Sequence, residues 1–106
     1  MSAFNNVLTQ SCCPFCNHNQ KWSVQFKYGD CWQFDYKIGD VLRWGGNDYG
    51  ENVGGNVRTE GIASESCESC GKDFIYAAVY FRDNRITKIE LLREPLELQM
   101  DYEVLP

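Results

Sequence analysis

The segments that decide the fold are residues 13–17, which read CPFCN, and residues 67–71, which read CESCG. In each segment two cysteines flank two other residues, and a tight turn of this form places both thiolates on one side of the loop. Asn17 and Gly71, which follow the pairs, are residue types that readily adopt a positive φ. Tetrahedral zinc takes four soft ligands, so two such turns facing each other complete its coordination shell. The sequence therefore predicts one structural Zn2+ ion, with the ligands Cys13, Cys16, Cys67 and Cys70.

These two segments resemble the double CxxC knuckles of zinc-ribbon domains, a rubredoxin-like arrangement. The resemblance covers the two knuckles alone and implies a tetrathiolate metal site on an antiparallel β scaffold. The 50 residues from 17 to 66 that separate the pairs form a longer insert than in compact ribbons. Zinc ribbons serve nucleic-acid enzymes, ribosomal proteins and adaptors, so the resemblance implies no single function.

Other uses of the cysteines remain open at this point. Cys12 could replace Cys13 as a ligand, and the first pair has the form of a thioredoxin-like redox motif. Disulfide bonds are a further alternative for six cysteines. Catalytic zinc is disfavoured, because it keeps three protein ligands and one open position. Cys31 stands alone between predicted strands and is expected to be a small buried side chain.

Length and composition predict one globular domain spanning residues 1–106. The chain is 43% hydrophobic and 24% charged, which is typical of a folded soluble protein. Its apolar runs are too short to span a bilayer, and residues 1–10 lack the basic and apolar regions of a secretory signal. We therefore expect a cytoplasmic protein without membrane association, in which cysteines bind metal rather than form disulfides.

Alternation of apolar and polar residues predicts β-strands along most of the chain. The pattern pairs 20–28 with 32–38 in a hairpin that has one aromatic face. Residues 74–81 are apolar on both faces, which is typical of a central strand, and 85–92 return as its hairpin partner. The alternation in 96–104 predicts a last strand with an acidic outer face, and residues 1–11 are expected to be a loosely held arm.

No segment has a sustained period of 3.6 residues, so the predicted fold class is mainly β. It consists of a small antiparallel sheet with a zinc-ribbon site of four cysteines and a long β insert between the two knuckles. Residues 45–61 contain six of the nine glycines and predict a flexible loop. The loop lacks the lysine and hydroxyl residue of a phosphate-binding P-loop. It is a candidate partner-binding segment, and the residues that we expect to contact a partner there are Trp44, Asp48, Tyr49 and Glu51.

The charge distribution predicts a basic protein as the partner. The net charge is −5, and residues 94–106 contain four acids and no base, whereas residues 1–93 carry a net charge of only −1. A polarised acidic face speeds the encounter with a basic surface. The further candidate contacts are Glu97, Asp101 and Glu103. This composition fits an acidic inhibitor or an immunity-type protein that neutralises another protein.

No group of residues in the sequence predicts an enzyme. His18 is the only histidine, and it adjoins the first cysteine pair, so a nucleophile would have no free histidine base. We expect a non-catalytic, zinc-stabilised protein-binding module. The alternative is a nucleic-acid-binding zinc ribbon, which the scattered lysines and arginines disfavour. Redox or metal handling by the thiolates themselves is a third hypothesis.

Overall fold

The computed structural model describes residues 4–98 and 102–106, and every regular element in these ranges is a β-strand. The strands are β1 (Asn5–Cys12), β2 (Asn19–Phe26), β3 (Gly29–Asp30), β4 (Asp35–Lys37), β5 (Asp48–Tyr49), β6 (Asn56–Ala63), β7 (Tyr76–Arg82), β8 (Arg85–Leu91) and β9 (Tyr102–Val104). The predicted mainly-β class is confirmed. Within the described ranges no helix is long and apolar enough to cross a membrane.

Seven strands form one curled sheet in the order β4-β1-β2-β6-β7-β8, with β9 beside β6. The pairs are antiparallel except for β1 with β4, which run parallel, so the sheet is mixed rather than purely antiparallel. Strands β3 and β5 form a small second sheet. The main sheet curls until β1 and β8 come into contact. The edge of β8 is covered at its start by the segment after β4, because Ile86 N–H donates to Asp40 O at 2.9 Å.

Strand β2 supplies much of the core, as its alternation predicts. Trp22, Val24 and Phe26 are buried on the inner face of the sheet, and the Phe26 ring lies 5.9 Å from that of Phe81 on β7. The indole N–H of Trp22 donates to Ser11 O at 3.0 Å, so this large side chain is buried with its polar atom satisfied. Burial of each such side chain contributes about 2 kcal/mol to folding.

The predicted hairpin of 74–81 with 85–92 is confirmed, except that its first strand begins at Tyr76 and leaves Phe74 outside the sheet and 74% exposed. Strand β7 lies between β6 and β8, and Ala77, Ala78 and Val79 are fully buried, so both of its faces are covered. The turn to β8 has two residues, Asp83 and Asn84, with φ values of 48° and 68°. Two-residue hairpin turns of this kind match the right-handed twist of the strands.

The prediction of a loose arm over residues 1–11 is wrong for the described part, because β1 pairs with β2 along its whole length. The sequence did not reveal this strand because its inner face is largely polar. Asn5 is fully buried, and its side-chain amide donates to Asp30 O at 3.1 Å and accepts from Phe34 N–H at 3.2 Å. These hydrogen bonds replace the apolar contacts that give most strands their visible pattern.

The hairpin predicted between 20–28 and 32–38 is also wrong. Strand β2 pairs with β1 and β6, and only residues 35–37 form a strand, parallel to β1. Gln33 has a φ of 58°, which breaks the extended backbone before β4. As a result Tyr36 is buried, whereas Trp32 is 60% exposed and Ile38 is 48% exposed.

The glycine-rich loop is shorter than predicted, because β6 begins at Asn56 and β5 lies within the remaining segment. Gly61 belongs to β6 and allows β2 to approach closely, since a Cβ atom there would lie 2.6 Å from Val24 Cγ1. Of the predicted last strand, 96–104, residues 99–101 lie outside the described ranges, and residues 102–104 form β9. Residues 92–98 are irregular, with Leu96 N–H donating to the Glu60 carboxylate at 2.6 Å.

Candidate metal centre

The structure brings the four predicted cysteine ligands together. The Sγ atoms of Cys13, Cys16, Cys67 and Cys70 all lie within 4.8 Å of one another. The Cys16–Cys67 distance is 3.5 Å and the Cys13–Cys70 distance is 3.9 Å. An ion bound tetrahedrally to four sulfurs at about 2.3 Å separates them by roughly 3.8 Å. Both distances fit a shared metal ion, and both exceed the ~2.05 Å of a disulfide bond.

The first knuckle is the turn between β1 and β2. Cys13 N–H donates to His18 O at 2.8 Å, and Asn17 N–H donates to Cys13 O at 2.8 Å. Asn17 has a φ of 66°, the positive value predicted for the residue after the cysteine pair. This conformation curls the turn so that Phe15 N–H points at Cys13 Sγ, 3.4 Å away. The turn thus holds the Cys13 sulfur by a contact with its own backbone.

The second knuckle, between β6 and β7, repeats this geometry. Cys67 N–H donates to Lys72 O at 3.0 Å, and Gly71 N–H donates to Cys67 O at 2.9 Å. Gly71 has a φ of 74°, again as predicted. Open space surrounds the position of a Cβ atom there, so the backbone conformation alone favours glycine. Two turns built by the same rule therefore face each other across the sulfur cluster.

The two knuckles expose equivalent cysteines. The first cysteine of each pair, Cys13 or Cys67, is buried with 2% of its surface accessible, whereas Cys16 and Cys70 are exposed. An ion bound by all four sulfurs would thus contact two buried cysteines on its inner side and two exposed cysteines on its solvent side.

The thiol pKa values move in opposite directions. Hydrogen bonding from the Cys70 N–H lowers the pKa of Cys67 to about 6. For Cys70 the Lys72 N–H acts to lower the pKa, but desolvation and the sulfurs of Cys16, Cys67 and Cys13 outweigh it and raise the pKa to about 11. Closely spaced thiols cannot all ionise without a positive charge among them. A divalent cation supplies that charge and lets all four act as thiolates.

The alternative ligands lie outside the sulfur cluster. Cys12 is exposed, and its Sγ accepts a contact from Asn19 Nδ2 at 3.7 Å, so Cys13 rather than Cys12 occupies the ligand position. The His18 Nε2 atom lies 3.8 Å from the Glu68 carboxylate. Cys31 is fully buried, as predicted.

Sequence reasoning missed Gln20, which joins the two knuckles. Its Nε2 atom donates to Ser66 O at 3.2 Å, and its Oε1 atom accepts from Glu68 N–H at 2.8 Å. The available signal is a polar residue at the head of the inward row that continues with Trp22, Val24 and Phe26. The first knuckle has a separate contact with the segment after β8, because Arg93 Nε donates to Pro14 O at 2.8 Å.

Three of the partner-binding candidates of the glycine-rich segment have structural contacts. The Trp44 indole N–H donates to Asn84 Oδ1 at 3.1 Å, and its ring meets Tyr28 edge-on at 5.2 Å. Asp48 Oδ1 accepts from Gly45 N–H at 2.9 Å, which shapes the turn. Tyr49 lies on β5, with Lys27 Nζ 5.8 Å from its ring centroid. The side chain of Glu51 is exposed.

The acidic candidates near the end of the chain differ from one another. Glu97 is exposed and belongs to no strand. Glu103 is on β9, and its carboxylate pairs with Arg58 Nε at 2.5 Å, which raises the pKa of Arg58. Asp101 lies outside the described residues. The described acids of this region therefore do not form one unbroken row along a strand.

No known family, curated protein or solved structure matches this chain. The four-cysteine cluster is consistent with a zinc-ribbon-like site.

Proposed function

We propose that this chain binds one structural Zn2+ ion through Cys13, Cys16, Cys67 and Cys70 and acts as a non-catalytic protein-binding module. The observation that carries the proposal is the cluster of four sulfurs within 4.8 Å of one another. An acidic inhibitor or immunity-type protein, which neutralises a basic partner protein, is the form of this function that the charge supports best.

The donor set favours zinc and a structural role. Thiolates are soft ligands, and four of them in a tetrahedral arrangement suit zinc or iron–sulfur chemistry. Four protein ligands leave no coordination position for a water molecule, which a catalytic zinc ion would need. Zinc would hold together two hairpin ends that are far apart in the sequence. That role suits a small domain, whose core is limited.

Charge and exposed aromatic side chains support protein binding. Four thiolates and one Zn2+ ion take the formal net charge from −5 to about −7. Phe74 is 74% exposed and has a φ of 55°, which is rare for a bulky residue, and Trp32 is 60% exposed. Strain and exposed aromatic surface are both enriched at binding sites. A basic partner with an apolar pocket complements such a surface.

Native mass spectrometry of protein purified without added metal tests the zinc assignment. We expect one zinc ion per chain, and we expect the Cys67→Ser variant to lack it. Because Cys12 is exposed and outside the cluster, Cys12→Ser is the matched control and should retain the ion. Metal-free wild-type protein with all four sulfurs reduced would contradict the assignment.

Association kinetics with a co-purified partner test the binding role. The double substitution of Glu51 and Glu97 to lysine should slow association about tenfold at low salt, because both carboxylates are exposed. Lys37→Glu, also at an exposed position, should speed association and is the control of opposite sign. If neither variant changes the association rate, the acidic surface has no role in binding.

Nucleic-acid binding is the second candidate, favoured by the surface of the first knuckle. Lys72 Nζ lies 5.1 Å and Arg93 Cζ 5.9 Å from the centroid of the exposed Phe15 ring. An exposed aromatic ring with cations nearby is a platform on which bases stack. Filter binding of single- and double-stranded oligonucleotides at ~50 mM salt distinguishes the candidates. Retention that is lost with added salt and in Phe15→Ala would favour nucleic acid over a protein partner.

A further inference from the structure

We propose that Gln20 is a positioning residue for the metal site, which holds the second knuckle against the first before a metal ion binds. The inference rests on the proposed function, because it assumes that the four cysteines bind zinc. It adds that zinc enters a site already assembled by hydrogen bonds, instead of folding the two knuckles around itself.

The contacts of Gln20 flank one of the four proposed ligands, Cys67. The Gln20 Nε2 atom donates to Ser66 O at 3.2 Å, and its Oε1 atom accepts from Glu68 N–H at 2.8 Å. Ser66 and Glu68 lie on either side of Cys67. The side-chain amide therefore pairs with the backbone around Cys67 in the way that a peptide group of a neighbouring strand would. This fixes the backbone from which the buried Cys67 sulfur projects.

Burial makes these two hydrogen bonds obligatory. Gln20 is 7% exposed, and a buried amide is stable only when its donor and acceptor are both satisfied. Gln20 is also the second residue of β2, directly after the first knuckle. Its contacts consequently hold the second knuckle in a fixed position relative to the first, and they do not involve the cysteine sulfurs.

Other contacts hold the same two turns. Ser23 on β2 accepts Ser64 N–H at 2.8 Å, and its own N–H donates to the Glu65 carboxylate at 2.7 Å. The first knuckle is held separately through Arg93 and Pro14. Each turn is thus bound to the sheet by groups that are present with or without the metal.

A preassembled site binds metal more tightly, because less conformational freedom is lost on binding. Residues that orient ligands typically change metal affinity about 10- to 100-fold when they are replaced. We therefore expect Gln20→Met, which keeps the length of the side chain and loses both hydrogen bonds, to weaken zinc binding by about that factor. The four cysteines are unchanged in this variant.

The experiment measures zinc affinity by chelator competition for wild type, Gln20→Met and a control of reduced stability. Ile86→Val serves as this control, since it trims a fully buried side chain of β8 outside the knuckles. We expect the control to keep wild-type zinc affinity. An unchanged affinity in Gln20→Met would overturn the proposal while leaving the zinc site intact, whereas wild-type protein that binds no zinc would instead overturn the proposed function.

Hydrogen exchange of metal-free wild-type protein tests the proposal even if Gln20→Met does not fold. The Glu68 amide donates to Gln20 Oε1, so we expect its exchange to be slow without metal. The intrinsic exchange rate of an unstructured peptide of the same sequence is the reference. Exchange of the Glu68 amide at the rate of an unfolded peptide would show that zinc assembles the site, and the proposal would then be wrong.

Discussion

The Sγ atom of Cys16 lies 3.5 Å from the Sγ atom of Cys67, although the two residues are 51 positions apart in the sequence. One of these sulfurs is exposed and the other is buried. The same relationship holds for Cys70 and Cys13, whose sulfurs lie 3.9 Å apart. Each exposed sulfur of one knuckle thus faces a buried sulfur of the other, and a metal ion shared by all four would join the two knuckles.

Loss of a buried ligand should unfold the protein at a lower temperature. Cys67→Ser removes one of the four proposed zinc ligands. Free zinc at a concentration 100 to 1,000 times its dissociation constant would stabilise the folded protein by about 3 to 4 kcal/mol. For a domain of this size, Tm should fall by about 12 to 30 °C in calorimetry. Cys12→Ser should change the free energy of unfolding by less than about 0.5 kcal/mol. Equal Tm values for the two variants would contradict a stabilising metal at this site.

The stability of the metal-free protein should fall toward both acid and alkaline pH. The pKa of Cys67 is lowered from 9.0 to about 6, so its thiolate stabilises the fold above pH 9 and this contribution is lost as pH falls through 6. The pKa of Cys70 is raised from 9.0 to about 11, so its contribution is present below pH 9 and is lost as pH rises through 11. Urea unfolding across this range measures both effects. Cys67→Ser should abolish the fall in the free energy of unfolding on the acid side. If this variant shows the same dependence of stability on pH as wild type, the Cys67 thiolate is not its cause.

The positive φ angles of the knuckles predict the effects of two substitutions. Gly71→Ala should lower the free energy of unfolding by about 1 kcal/mol, because its φ of 74° strains any side chain even though the space is open. Asn17→Gly should be neutral or stabilising, because it relieves the left-handed conformation of Asn17. Urea denaturation of the zinc-loaded variants measures both changes. A stabilising Gly71→Ala would show that the turn has another conformation.

Gly61→Ala should be destabilising for a different reason. Its Cβ atom would lie 2.6 Å from Val24 Cγ1 and 2.8 Å from the backbone oxygen of Gln25, so β2 and β6 would have to separate. Overpacking of this kind costs about 1 to 3 kcal/mol. Val104→Ala, at a 58% exposed position of β9, is the control for placing alanine on a strand where no side chain is overpacked. Equal stability of Gly61→Ala and wild type would mean that the strands can move apart freely.

The four-cysteine cluster and several strands could be predicted from the sequence because their signals are local. The CxxC spacing and the residues Asn17 and Gly71 specify each knuckle within a few positions. Strand β2 alternates apolar and polar residues, which reveals both the strand and its buried face. Strand β7 is instead a short run that is apolar on both faces, which is typical of a strand covered on both sides. These elements need little information about distant parts of the chain.

The remaining features depend on partners that the sequence does not identify. Strand β1 is held by the buried amide of Asn5, which contacts the loop before β4, and no apolar period reveals it. The aromatic alternation of 32–38 predicted a strand, but Gln33 breaks it and leaves Trp32 in solvent. The sequence does not distinguish Gln20 from other polar residues, because its role depends on hydrogen bonds with the distant backbone around Cys67.

X-ray absorption at the zinc edge, on protein purified without added metal, tests the central claim most directly. The account predicts one zinc ion per chain, surrounded by four sulfur atoms at about 2.3 Å. A spectrum that requires nitrogen or oxygen ligands, or protein without zinc in which these sulfurs are joined as disulfides, would contradict it.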